Sequence, residues 1–112
     1  METISVKDIV FVDFPFSDLS QTKLRPALVL ANAQHNDWIL CQITSQAYSD
    51  THAIAISEMD FQNGMLTKIS YVRAHKIFTA NGQLIKKKAA SLTAAKHDEI
   101  IARIQTILRD GY

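Results

Sequence analysis

Two side chains of this chain have the types and setting to meet a phosphate: Arg25, in Lys23-Leu24-Arg25-Pro26-Ala27-Leu28-Val29-Leu30, and Thr44, in Cys41-Gln42-Ile43-Thr44-Ser45. Upstream of both runs Val10-Phe11-Val12-Asp13-Phe14-Pro15-Phe16-Ser17-Asp18-Leu19-Ser20. A guanidinium is permanently charged and offers a planar fork of donors that matches phosphate oxygens. Pro26 biases Arg25 toward an extended backbone, where a polar loop becomes an apolar strand. If the strands on either side of residues 32–37 pair as a hairpin, Thr44 and Ser45 come beside Arg25, and a hydroxyl there can donate to the same phosphate. A plainer reading stands next to this one. Arg25 could form a surface ion pair with Asp13 or Asp18, and strand-end hydroxyls commonly bond their own backbone. Residue types and spacing leave both open.

Other chemistries have less support. Neither Cys41 nor any serine stands in a motif with a histidine, and three glycines in the whole chain exclude a glycine-rich nucleotide loop. His35, His52, His75 and His97 lack metal-ligand spacing, so no metal and no cofactor is expected. Asp13 and Asp18 read as strand-end and turn residues rather than a catalytic pair.

The composition narrows the setting. A chain of 112 residues is expected to form one domain over 1–112, large enough to bury a core without disulfides or metal. The net charge of +1 argues against a broadly basic nucleic-acid coat, so phosphate recognition must be local. Apolar runs are short and broken by charge, which predicts no membrane span. Met1-Glu2-Thr3-Ile4-Ser5 has neither a basic nor an apolar leader region, and a cytoplasmic location is expected. The lone Cys41 sits in an apolar run and is expected in the core.

The elements that must carry these groups are mostly strands. β-Branched and aromatic residues predict strands over 8–14, 27–31, 38–44, 53–56 and 69–73, with a short one at 76–79. Polar loops are expected at 17–23 and 46–51, a polar connection at 32–37, and turns at Asn63-Gly64 and Asn81-Gly82. From Thr93 to Arg109 the period changes: Ile100, Ile101, Ile104, Ile107 and Leu108 recur at helical spacing, with Ser91 or Thr93 as cap and Gly111 as stop. Successive short strands followed by one helix predict a mainly β, α+β fold, an antiparallel curved sheet or small barrel covered by the helix.

The runs 8–20, 25–30, 42–45 and 70–73, together with Lys76-Ile77-Phe78-Thr79 and the C-terminal helix, resemble the MazF/PemK family of toxin endoribonucleases over nearly the whole chain. The resemblance implies an SH3-like antiparallel barrel with a C-terminal helix. It implies a homodimer that cleaves single-stranded RNA without a metal, is held by a cognate antitoxin, and binds DNA together with it. It places the essential arginine on Arg25 and the essential hydroxyl on Thr44, and puts RNA contacts at Ser20, Lys23, Ser45, Gln46, Ser70 and Arg73. The implied chemistry is attack of the ribose 2′-OH on the adjacent phosphorus, leaving a 2′,3′-cyclic phosphate and a 5′-OH.

Departures from the family pattern keep two other readings in view, a gyrase-poisoning toxin of the same fold and an inactive relative that only binds a partner. Lys7, Gln21 and Ala89 or Ala90 stand where glycines are usual, and His75 stands where an acid is common, so a salt bridge there is expected to be missing. Trp38 reads as core or interface packing. Lys86, Lys87 and Lys88 read as a solvated basic cluster that could instead track an RNA backbone.

Overall fold

The computed structural model describes residues 3–15 and 22–112. The first strand, β1 (Asp8–Pro15), shows why an unbroken apolar run was needed. Successive side chains of a strand point to opposite faces, and here both faces are covered. Ile9 joins one core with Leu28, Cys41, Ile43, Val72 and Leu92, whereas Val10 and Val12 join a second with Ala27, Val29, Leu40 and Ala80. Trp38 packs against this second core, and its indole N–H donates to Asn36 Oδ1 at 3.4 Å.

The remaining elements are β2 (Thr22–Gln34), β3 (Asp37–Thr44), β4 (Ala53–Ile56), β5 (Phe61–Gly64), β6 (Ser70–Asn81), β7 (Ile85–Leu92) and α1 (Ala94–Asp110). The described strands form one antiparallel sheet in the order β4-β6-β3-β2-β1-β7-β5. This is the mainly β fold with a C-terminal helix that the sequence predicts, except that the terminal strands β4 and β5 do not pair with each other and the sheet stays open.

Several boundaries differ from the sequence reading. β2 extends from Thr22 to Gln34 because its polar ends still find partners, so Lys23 lies in a strand rather than a loop and Pro26 lies mid-strand opposite Phe11. β5 and β7 are absent from the sequence reading, and Asn63-Gly64, expected as a turn, forms the end of β5. The run Lys86-Lys87-Lys88-Ala89-Ala90 carries little apolar signal, yet β7 completes the far side of β1. The expected strands at 69–73 and 76–79 are one strand, β6, bent by a bulge: between Cys41↔Ile77 and Ile43↔Val72, two steps along β3 are matched by five along β6. Bulges of this kind re-aim side chains. Ala74, fully buried, anchors the bend in the larger core.

The helix begins at Thr93, whose hydroxyl accepts from the Lys96 N–H at 3.2 Å, and ends at Gly111 in the left-handed conformation (φ 86°). Ile100 and Ile104 close the larger core, and Ile107 packs partly against it, whereas Leu108 turns outward and is exposed. Among the described residues no helix is long and apolar enough to cross a membrane. His97 is buried in the first turns of α1, and its Nδ1 has no hydrogen-bond partner among the described residues. Burial, reinforced by the charge of Lys7, lowers its pKa.

Lys7, which the resemblance sets where glycine is expected, adopts a left-handed backbone, φ 82°. Two hydrogen bonds hold it there: its N–H donates to Val29 O at 3.1 Å and its carbonyl accepts from the Leu92 N–H at 2.9 Å. An L-residue in this region costs about 1–2 kcal/mol that glycine avoids. Lys7→Gly is therefore expected to raise unfolding stability by about 1 kcal/mol in urea titrations at neutral pH. His97 gives a pH prediction. With its folded-state pKa lowered, the unfolded chain binds the proton first, so stability is complete above the ordinary histidine range, about 6.5, and declines as pH falls below it. Urea midpoints measured from pH 8 downward should show this decline, and His97→Leu should remove its first part.

Candidate functional site

Arg25 and Thr44 come together through the β2–β3 ladder. The register Ala27↔Gln42, carried two residues outward, sets Arg25 level with Thr44. Ala27 and Val29 on β2 and Leu40 on β3 point into the smaller core, so the period of two puts Arg25, Gln42 and Thr44 on the same face, with Arg25 opposite Val12 of that core. All three line a cleft of about 690 Å³ together with Asp50, His52, Arg73 and His75. A second cleft of about 460 Å³ shares Arg25 and Thr44 and adds Lys23, Ser45, Ser70 and Lys87. The arginine and the threonine thus border both depressions, and a chain passing from one to the other would meet them.

The Thr44 hydroxyl is held in a local turn. It donates to Gln46 O at 3.2 Å and accepts from the Gln46 N–H at 3.1 Å. The plainer reading of that hydroxyl is therefore realised in the free chain. Because Gln46 is an exposed residue, water can replace the hydroxyl there when it turns to another acceptor.

The wall opposite is built around Asp50, whose side chain is only 5% exposed. Its Oδ2 accepts from Arg73 Nε at 2.8 Å, its Oδ1 accepts from the His52 backbone N–H at 2.9 Å, and His75 Nδ1 stands 3.5 Å from Oδ1. Burial pushes the carboxyl upward, but the Arg73 and His52 hydrogen bonds and the charges of His75 and Arg73 outweigh it and hold Asp50 below its ordinary value. The His52 and His75 rings lie with centroids 5.4 Å apart, tilted by 56°. Behind them the Cys41 thiol donates to Arg73 O at 2.9 Å, and burial, with the Asp50 charge added, pushes it up to about 12. Cys41 is a core residue, not a nucleophile.

Of the residues expected from sequence, Lys23, Ser45 and Ser70 line the second cleft, Gln46 and Arg73 the first, and Ser20 lies outside the described residues, as do Asp18 and Gln21. Ser70 is nearly buried and donates to Lys68 O at 3.0 Å. Arg73 serves the protein directly by holding Asp50. Asp13 stands 3.6 Å from Lys86 Nζ and Asp8 stands 3.4 Å from Lys88 Nζ, so two of the three clustered lysines lean on β1 carboxylates. At the position where a salt bridge is expected to be missing, the structure sets Asp50, from the β3–β4 connection, 3.5 Å from His75 Nδ1, an ion pair whenever the ring is protonated. Sequence reasoning missed Asp50, His52 and His75 as a group because only the β6 bulge brings them together. Among the described residues, no group of His, Cys, Asp or Glu is placed to hold a metal ion.

This arrangement of sheet and helix is shared with known toxins. Residues 5–108 match the family described as PemK-like, MazF-like toxin of type II toxin-antitoxin system, and the chain belongs to that family. Among solved structures, it superposes on MazE-MazF (Form-II) from Deinococcus radiodurans with a TM-score of 0.76 and 18% identity, covering 96% of this chain and 97% of that one. It superposes on an endoribonuclease in complex with its cognate antitoxin from Mycobacterial species with a TM-score of 0.74 and 18% identity, covering 95% of each. The toxin MazF-mt6 of Mycobacterium tuberculosis gives 0.69 and 16%, covering 92% of this chain and 96% of that one. At such identities the likeness is one of fold. No curated protein matches the sequence.

The Asp50 cluster has a measurable consequence. A carboxyl with a lowered folded-state pKa contributes stability above its unfolded value, about 3.9, and that stability is lost as pH falls through the folded value. Unfolding midpoints taken from pH 6 downward should drop in this acid window, and Asp50→Asn should flatten that part of the profile while lowering stability at neutral pH.

Proposed function

We propose that this family member is the endoribonuclease of its toxin-antitoxin pair, cleaving single-stranded RNA without a metal. The observation that supports the reading most is the placement of Arg25 and Thr44 side by side on one face of β2 and β3, at the border of two clefts. Arg25 binds the scissile phosphate and balances the charge that grows on its oxygens, and Thr44 donates a hydrogen bond that orients it for in-line attack. The 2′-OH attacks, the bond to the 5′-oxygen breaks, and a 2′,3′-cyclic phosphate and a 5′-OH remain. DNA, lacking the nucleophile, is not a substrate. Lys23, Ser45, Gln46, Ser70 and Arg73 flank the path of the strand.

The functional unit in this reading is a cytoplasmic homodimer. A cognate antitoxin inhibits it by laying a disordered segment along the same clefts, where Leu24 and Met65 offer exposed apolar surface.

The test is incubation of the purified chain with a long single-stranded RNA in EDTA, with 5′ ends mapped. Wild-type protein is expected to cut. Arg25→Ala and Thr44→Ala are each expected to lower the rate by about 100-fold or more, the cost of losing one preorganised donor. Intact RNA, or cutting that survives both substitutions, overturns the proposal, and gyrase-dependent DNA breaks in a parallel reaction would put the poison reading in its place.

A further inference from the structure

We propose that His52 and His75 form the acid–base pair of the cleft, His52 taking the proton from the 2′-OH and His75 giving one to the departing 5′-oxygen. The proposal rests on the endoribonuclease reading and deepens it. Neither Arg25 nor Thr44 suits proton transfer near neutral pH, since a guanidinium does not deprotonate in proteins and an alcohol is far too weak an acid or base. Without a group that accepts and another that donates, the 2′-OH remains a poor nucleophile and the 5′-alkoxide a poor leaving group. Imidazole is the side chain whose charge changes around neutrality.

Both histidines line the same cleft as Arg25 and Thr44. They come from different elements, His52 from the β3–β4 connection and His75 from the β6 bulge, and their rings stand 5.4 Å apart, tilted rather than stacked. A pair so close can address the entering and leaving oxygens of a single phosphorus. The Asp50 carboxylate separates their roles. It stands 3.5 Å from the ring of His75, a counter-charge for an imidazolium, whereas it engages His52 through the backbone N–H and leaves the ring to act as acceptor.

Among the described residues, the charged groups around the pair are Asp50 itself, Arg73 on β6 and Arg25 on β2, while Arg103 of α1 reaches Thr51 O next to His52 at 3.3 Å. In the step, the O2′–P bond forms as the O2′ proton passes to the His52 ring. The P–O5′ bond breaks as the His75 proton passes to O5′. The two rings end with exchanged protonation, and water resets them.

The experiment uses the full chain, a single-stranded oligoribonucleotide carrying one mapped cleavage site, and the variants His52→Gln and His75→Gln. The expected result is a bell-shaped pH dependence of kcat for the wild type, falling in acid as the base protonates and in alkali as the acid is lost. Each variant is expected to lose about 10²–10⁴-fold in kcat and its own limb of the bell, with near wild-type affinity for the 2′-deoxy analogue. A substrate with sulfur in place of the bridging 5′-oxygen needs no acid, so it should restore His75→Gln and leave His52→Gln slow, an effect that a merely structural role would not produce. Wild-type kcat and an unchanged bell in both variants, or losses equal on the oxygen and sulfur substrates, overturn the acid–base assignment alone. A wild-type chain that leaves RNA intact overturns the endoribonuclease reading and this assignment with it.

Discussion

Asp50 is nearly sealed from water, and an ionised carboxylate persists in such a place only where hydrogen bonds and opposite charge replace the solvent it has lost. Arg73 and the His52 N–H supply the bonds, and His75 completes the ring. Through that one group the β3–β4 connection is tied to the bulge of β6, and a polar loop becomes a defined wall of the cleft. The opposite wall is set by the β2–β3 ladder, which carries Arg25 and Thr44 on the face of the smaller apolar core. Each wall relies on the other's geometry, because the bulge is a departure of β6 from β3, the strand that presents Thr44.

The fold meets its polar requirements with little to spare. Cys41 and Ala74, both buried, are small enough to let the bulge fold back onto β3, and the Cys41 thiol donates to the Arg73 carbonyl. Lys7 keeps a backbone conformation that glycine would hold without strain, fixed by hydrogen bonds from strands on both sides. His97 is buried with Nδ1 unsatisfied among the described residues. Such local costs survive because long, doubly buried strands and a well-capped helix hold the surrounding backbone in place.

Much of this was legible in the residues. The apolar run of β1, the hairpin of β2 and β3, and the period of α1 with its Thr93 cap and Gly111 stop follow from local rules that depend on near neighbours. The juxtaposition of Arg25 and Thr44 was within reach for the same reason, since a hairpin's register is a local property. β7 was hidden because its lysines mask a pattern that only pairing with β1 makes extended. β6 looked like two strands because Ala74-His75 interrupts the alternation where the bulge lies.

By itself, then, the amino-acid sequence determined β1 to β4, the C-terminal helix and the arginine–threonine pair, since each depends on side-chain chemistry acting over a few residues or across one tight connection. Only the tertiary structure decided the Asp50 cluster and the approach of His52 to His75. Their separation along the chain carries no periodic signal, and their contact exists because a bulge two strands away from Arg25 turns both flanks of Ala74 toward the cleft.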